Sequence, residues 1–236
     1  MLGSENMKYG EIVRGKFQKR INRFIAEVFI DGEIVSVHVK NTGRLRELLL
    51  PNAEVLLERS NNPNRKTKYS LIAVKKQNLW VNIDSQAPNT VAYNALKEGK
   101  IIEFSNFTTF KREVSFGHSR FDLYVENEGE KGFIEIKGVT LEKDGLAMFP
   151  DAPTTRGTKH VLELMEAIKE GYTGTVLFIV QMEGCHTFTP NTEMDPAFSR
   201  ALKQAQEKGV QILAYDTVVT ENELTIGKPI AVTLEN

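Results

Sequence analysis

About five short strand-like segments crowd into the first 84 residues with no helical pattern of comparable length among them, and this density restricts the N-terminal part to a small closed barrel. The clearest pair is FIAEVFI (24–30) and EIVSVHV (33–39), which meet across Asp31-Gly32. That dipeptide accepts the positive φ angles of a two-residue hairpin turn. Val35, Val37 and Val39 alternate with Ile34, Ser36 and His38, so one face is apolar and the other mixed. Further strands are expected near 11–17 and from 54, 69 and 79. The count suits a Greek-key barrel of the OB type. NTGRL at 41–45 reads as a turn, because Asn and Gly tolerate left-handed backbone.

Beyond Asp84 the rhythm changes to strands alternating with helices. Residues 90–98, 154–170 and 196–208 read as helices; 111–126, 132–139, TVLFIV at 175 and VQILAY at 210 read as strands, followed by a closing hairpin. This is the pattern of an α/β domain with a mixed sheet. The expected division is 8–84 for the barrel and 85–236 for the α/β domain. The polar leader 1–6 ahead of Met7 is set aside as an added segment or an alternative start.

Charge divides at the same place. Through Ile83 there are 15 Lys and Arg against 8 Asp and Glu, a net of +7; the remainder carries 15 against 23, a net of −8, and the whole chain −1. The basic half points to a polyanion partner. Lys16, Arg20 and Arg23 precede the hairpin, and Arg65, Lys66 and Lys68 crowd the long loop NNPNRKTKYS. Few aromatic residues accompany these charges, so salt-sensitive phosphate contact is expected rather than base stacking. Cys185 is the only cysteine, which excludes an internal disulfide and a zinc ribbon and favours a cytoplasmic protein. The opening residues lack the apolar core of a signal peptide, and no apolar run approaches the length that spans a bilayer, so membrane functions are excluded.

The stretch SRFDLYVENEGEKGFIEIKGVTL carries the chemistry. Phe121, Leu123 and Val125 alternate with Arg120 and Asp122; Ile134 and Ile136 alternate with Glu135 and Lys137, which share a face with Phe133 and Val139. A hairpin centred on Glu128-Gly129 pairs residues whose numbers total 257 and sets Asp122 opposite Glu135. Opposed carboxylates repel unless a divalent cation lies between them. Hard oxygen ligands suit Mg²⁺ or Mn²⁺, and Lys137 beside them would orient water or stabilise charge on a phosphate oxygen. If the turn is centred on Glu130-Lys131 instead, the opposition is lost. The bland alternative is a surface hairpin with diagonal pairs, Asp122 with Lys137 and Arg120 with Glu135. On the helix that follows, Arg156, Lys159, His160 and Glu163 gather on one side, capped by Thr154 or Thr155, and the first three are candidates to hold phosphates.

The ordered set HVKNTGRL, SRFDLYV, FIEIKGVTL, FPDAPTTRGTKHVLELM and KGVQILAYD, running from about Lys8 to the end, resembles the sugar fermentation stimulation protein A family. The resemblance implies an N-terminal OB-like five-stranded β-barrel and a C-terminal α/β domain similar to the PD-(D/E)xK nuclease superfamily. It also implies non-specific DNA binding and a role in expression of sugar-utilisation genes. Its nuclease-like positions are Asp122, Glu135 and Lys137, with Glu113 as a further carboxylate; Phe121-Asp122 stands where the superfamily usually has Pro-Asp. Three readings follow: a DNA-binding protein on a nuclease scaffold, an active Mg²⁺- or Mn²⁺-dependent nuclease acting on DNA or RNA, and a module for another phosphate-rich ligand. The third would call for a Gly-rich phosphate loop, which the sequence lacks. A homodimer through a sheet edge is compatible with the pattern but not selected by it.

Overall fold

The computed structural model describes residues 7–234; the leader 1–6 lies outside the described residues. A first strand β1 (Met7–Lys8) precedes six strands of the N-terminal unit: β2 (Ile12–Arg20), β3 (Ile25–Ile30), β4 (Glu33–Val39), β5 (Glu54–Arg59), β6 (Tyr69–Lys76) and β7 (Leu79–Asn82). Their order is β4-β3-β2-β5-β6-β7, and pairing of β4 with β6 closes the first five into a barrel of OB type. The expected hairpin is present: Asp31 (φ 49) and Gly32 (φ 91) take the two left-handed positions, and Ile30 faces Glu33.

The second unit contains α1 (Ala87–Lys97), β8 (Thr109–Phe116), β9 (Ser119–Glu126), β10 (Lys131–Val139), β11 (Leu141–Lys143), β12 (Leu146–Phe149), α2 (Thr155–Lys169), β13 (Thr173–Val180), β14 (Thr187–Pro190), α3 (Pro196–Glu207), β15 (Gln211–Val219), β16 (Glu223–Pro229) and β17 (Ala231–Val232). Seven strands form a mixed sheet in the order β1-β16-β15-β13-β10-β9-β8. The run read as strand over 111–126 is divided by a turn at Gly117 (φ 55). A separate four-stranded sheet, β11-β12-β14-β17, has no counterpart in the sequence reading, because its strands are two to four residues long.

Central β13 is buried along seven of its eight residues, as a parallel strand covered on both faces must be. On one side of the sheet α1 packs on Leu123, Ile134, Ile136 and Leu177; on the other, α2 and α3 pack on Phe133, Val176 and Phe178, in a core that runs on into the barrel. Thr154 Oγ1 caps α2 by accepting from Gly157 N at 3.0 Å, and Asp195 caps α3.

A polar knot ties the units together. Asp84 is fully buried; its Oδ2 accepts from Lys40 Nζ at 2.8 Å and from the Tyr9 hydroxyl at 3.1 Å, and its Oδ1 accepts from Gln86 N. Asn82 donates to Tyr9 at 2.8 Å and accepts from Gln181 of the region after β13 at 2.9 Å. Burial and the neighbouring Asp84 charge push the Tyr9 hydroxyl far above the usual phenol range. Lys76 of β6 also pairs with Glu142 of β11. Among the described residues no helix is long and apolar enough to cross a membrane.

Candidate functional site

The site grows out of a fork between two strands. β9 and β10 pair as Lys131 with Glu126, Gly132 with Val125, Phe133 with Tyr124 and Ile134 with Leu123, the register expected from a turn at Glu128-Gly129. Their ladder ends there, while β10 continues along β13 from Glu135–Val176 to Val139–Val180. In the gap, Asp122 Oδ2 accepts from the backbone N–H of Ile136 at 2.8 Å, the amide directly after Glu135. Asp122 Oδ1 accepts from Asn89 Nδ2 of α1 at 2.8 Å. A side chain thus replaces the missing strand partner.

The fork also turns Phe121. Phe121 does not share the face of Leu123 and Val125; its ring lies 5.1 Å from Phe133 and 6.4 Å from His160, while Leu123 and Val125 pack on the α1 side. Opposite the fork, Glu113 sits at φ 54, between the pairs Arg112–Leu123 and Val114–Phe121. Glu113 is exposed and lies 3.8 Å from Arg120.

Glu135 is 2% exposed. Its Oε1 accepts from Lys137 Nζ at 2.6 Å and lies 2.5 Å from His160 Nδ1; its Oε2 is buried with no partner. The diagonal pairs of the surface-hairpin alternative are therefore replaced: Lys137 joins Glu135, and Arg120 joins Glu113. Burial alone would raise the Glu135 carboxyl, but His160 and Lys137 outweigh it and hold it below the usual range. Asp122 moves the other way, raised first by burial and then by the Glu135 charge. Two carboxylates with divergent proton affinities thus sit side by side.

On α2 the expected polar group divides. His160 is buried against Glu135, whereas Arg156 and Lys159 remain exposed, with Lys159 Nζ 3.7 Å from Glu163. Among the described residues no cluster of three or more His, Cys, Asp or Glu is arranged to hold a metal ion.

In the barrel, Lys16, Arg23, Lys66 and Lys68 are exposed, and Arg65 Nη2 donates to Ser70 Oγ at 3.1 Å. Arg20, also expected to contact phosphate, has its guanidinium engaged within the barrel. Its guanidinium donates to the carbonyls of Asn22, Arg23, Asn41, Gly43 and Arg44, pinning the NTGRL turn to the end of β2. Arg20→Lys keeps the charge but loses the fork geometry, so urea unfolding is expected to show a loss of about 2 kcal/mol. A change below ~0.5 kcal/mol would remove this structural role.

The N-terminal barrel, 19–83, matches a family model described as the SfsA N-terminal OB domain, and residues 86–223 match the sugar fermentation stimulation protein RE domain. This chain belongs to the sugar fermentation stimulation protein family. A sugar fermentation stimulation protein homolog of Alkaliphilus oremlandii (strain OhILAs) is 59% identical over 226 residues, covering 94% of this chain and 96% of that one. A family homolog of Clostridium novyi (strain NT) is 51% identical, covering 97% and 100%. Among solved structures, Pyrococcus furiosus SfsA in complex with Ca²⁺ superposes with a TM-score of 0.88 at 27% identity, over 96% of this chain and 98% of that one. Within this family member, Asn89 and the inward turn of His160 are the site features that residue patterns missed. Asn89 lies 33 residues from Asp122, and nothing in its neighbours distinguishes it from a surface amide.

Proposed function

We propose that this protein binds nucleic acid, DNA foremost, through phosphate contacts, and that Asp122 and Glu135 form a site for Mg²⁺ or Mn²⁺. The observation that carries the metal reading is Glu135 Oε2, a buried carboxylate oxygen without a partner beside a second carboxylate. A hard cation would satisfy that oxygen and cancel the repulsion that raises Asp122. The Pyrococcus furiosus relative was solved with Ca²⁺, an ion of the same oxygen-seeking class, which supports this reading.

A bound cation would supply Lewis-acid polarisation of a phosphate oxygen. Asp122 and Glu135 would hold it, Lys137 would stabilise charge on the phosphate, and Arg156 and Lys159 would anchor the backbone at the mouth. Both oxygens of Asp122 and one of Glu135 already have partners, so binding ranks ahead of cleavage in this reading. The relatives' name suggests sugar fermentation as the biological setting.

The deciding experiment incubates the protein with labelled single- and double-stranded DNA and RNA in Mg²⁺, Mn²⁺ or EDTA. Retention without cleavage supports a binding protein on a nuclease framework; metal-dependent cleavage adds the hydrolytic step; neither sinks the proposal. Association is expected to weaken steeply with salt. Lys66→Ala with Lys68→Ala should reduce the slope of log K against log salt by about 2. Salt-independent binding would contradict phosphate contact.

A further inference from the structure

A cleft of about 370 Å³ opens on the outside of the barrel, lined by Arg14, Lys16, Phe29, Glu54 and Trp80 among others. Strand pairing assembles it from segments far apart in the chain: Lys16 of β2 lies beside Phe29 of β3 on one side and Glu54 of β5 on the other, and Phe29 faces Ile34 of β4. Phe29 is 43% and Ile34 61% exposed. A large aromatic on the outer face of a barrel gains little from folding, so its exposure points to a ligand.

Trp80 rests part of its ring on the cluster of Tyr9, Leu56, Ile72 and Ala73 and turns the remainder to the cleft. Lys75 Nζ lies 5.8 Å from its ring centroid. Two acidic residues, Asp31 and Glu54, also line the wall. Glu54 is engaged by Lys75 at 3.1 Å and Arg14 by Glu221, which leaves Lys16 as the lining cation with no ion pair among the described residues. Two aromatic side chains with cations beside them are the means by which proteins hold an unpaired base and its flanking phosphates. A duplex keeps its base faces stacked on one another and offers none to Trp80. None of these residues belongs to the Asp122–Glu135 pair.

We infer that this cleft binds single-stranded nucleic acid, with an unpaired base against Trp80 and Phe29 and its phosphates toward Lys16. The inference rests on nucleic acid being the ligand and adds strandedness and a second site. Few aromatics lie close in the chain to the basic runs; strand pairing in the barrel is what brings Trp80 to the same cleft as Lys16.

Trp80 is the only tryptophan, so its fluorescence reports this cleft alone. The full chain in EDTA would be titrated with a labelled short oligothymidylate and with the same strand annealed to its complement, following Trp80 emission and label anisotropy together. Saturable quenching by the single strand is expected. Phe29→Ala, at an exposed position, should weaken single-strand binding about tenfold or more and change duplex binding less than about twofold. Single-strand binding with unchanged Trp80 emission overturns the cleft and leaves the nucleic-acid reading standing. Equal loss on both ligands also overturns it. Anisotropy that stays flat with every nucleic acid overturns both.

Discussion

Asp84→Ala is expected to lower unfolding free energy by about 3–5 kcal/mol, the range for removing one partner from a buried charged pair. The carboxylate is fully buried and receives Lys40, Tyr9 and the Gln86 amide. Its removal strands an ammonium and a hydroxyl between the barrel and the α/β unit, where water does not replace the lost acceptor. Asp84→Asn should retain part of the stability, because an amide oxygen still accepts one of these bonds. Urea unfolding followed by circular dichroism measures both. A loss below ~1 kcal/mol for the alanine variant would mean that the knot is dispensable.

Glu135→Gln is expected to weaken Mn²⁺ binding by about 100-fold or more while the chain remains folded. Any metal-dependent cleavage should fall with it, by roughly 10²–10³. The amide still accepts from Lys137 but carries no charge for a cation. The variant also loses a pH dependence. Because the Glu135 carboxyl is held below its ordinary range when folded, the stability it contributes is present above the unfolded pKa and lost as pH falls through the folded one. The parent should therefore lose stability in acid more steeply than the variant. Calorimetric titration with Mn²⁺ and thermal melts from neutral to acid pH test the two halves. Equal Mn²⁺ affinity in parent and variant would show that Glu135 is not a ligand.

Much of this was legible locally. The Asp31-Gly32 turn, the alternation of Val35, Val37 and Val39 and the unbroken apolar run of β13 follow from side chains one to four residues apart. Sequence left two turn centres open for the β9–β10 hairpin; the ladder takes the one at Glu128-Gly129 and ends at Ile134–Leu123, before Asp122 and Glu135. Other features were not legible, each for a reason of distance. Arg20 looked like a free cation because its five carbonyl acceptors lie on turns that fold back onto it, three of them 21–24 residues away. His160 was grouped with the exposed Arg156 and Lys159 because a helical wheel shows which residues share a side but not which side meets a strand.

Two units, their longer strands and helices, the charge contrast and the family were legible in the sequence. These depend on short-range periodicity, turn chemistry and composition. Tertiary structure alone decided that β9 and β10 fork at Asp122, that Asn89 and His160 close on the carboxylates, and that Phe29 and Trp80 share one cleft. Each brings together groups separated by dozens of residues, and which of them meet is set by how strands diverge and barrels close, a property of the packed whole rather than of any segment.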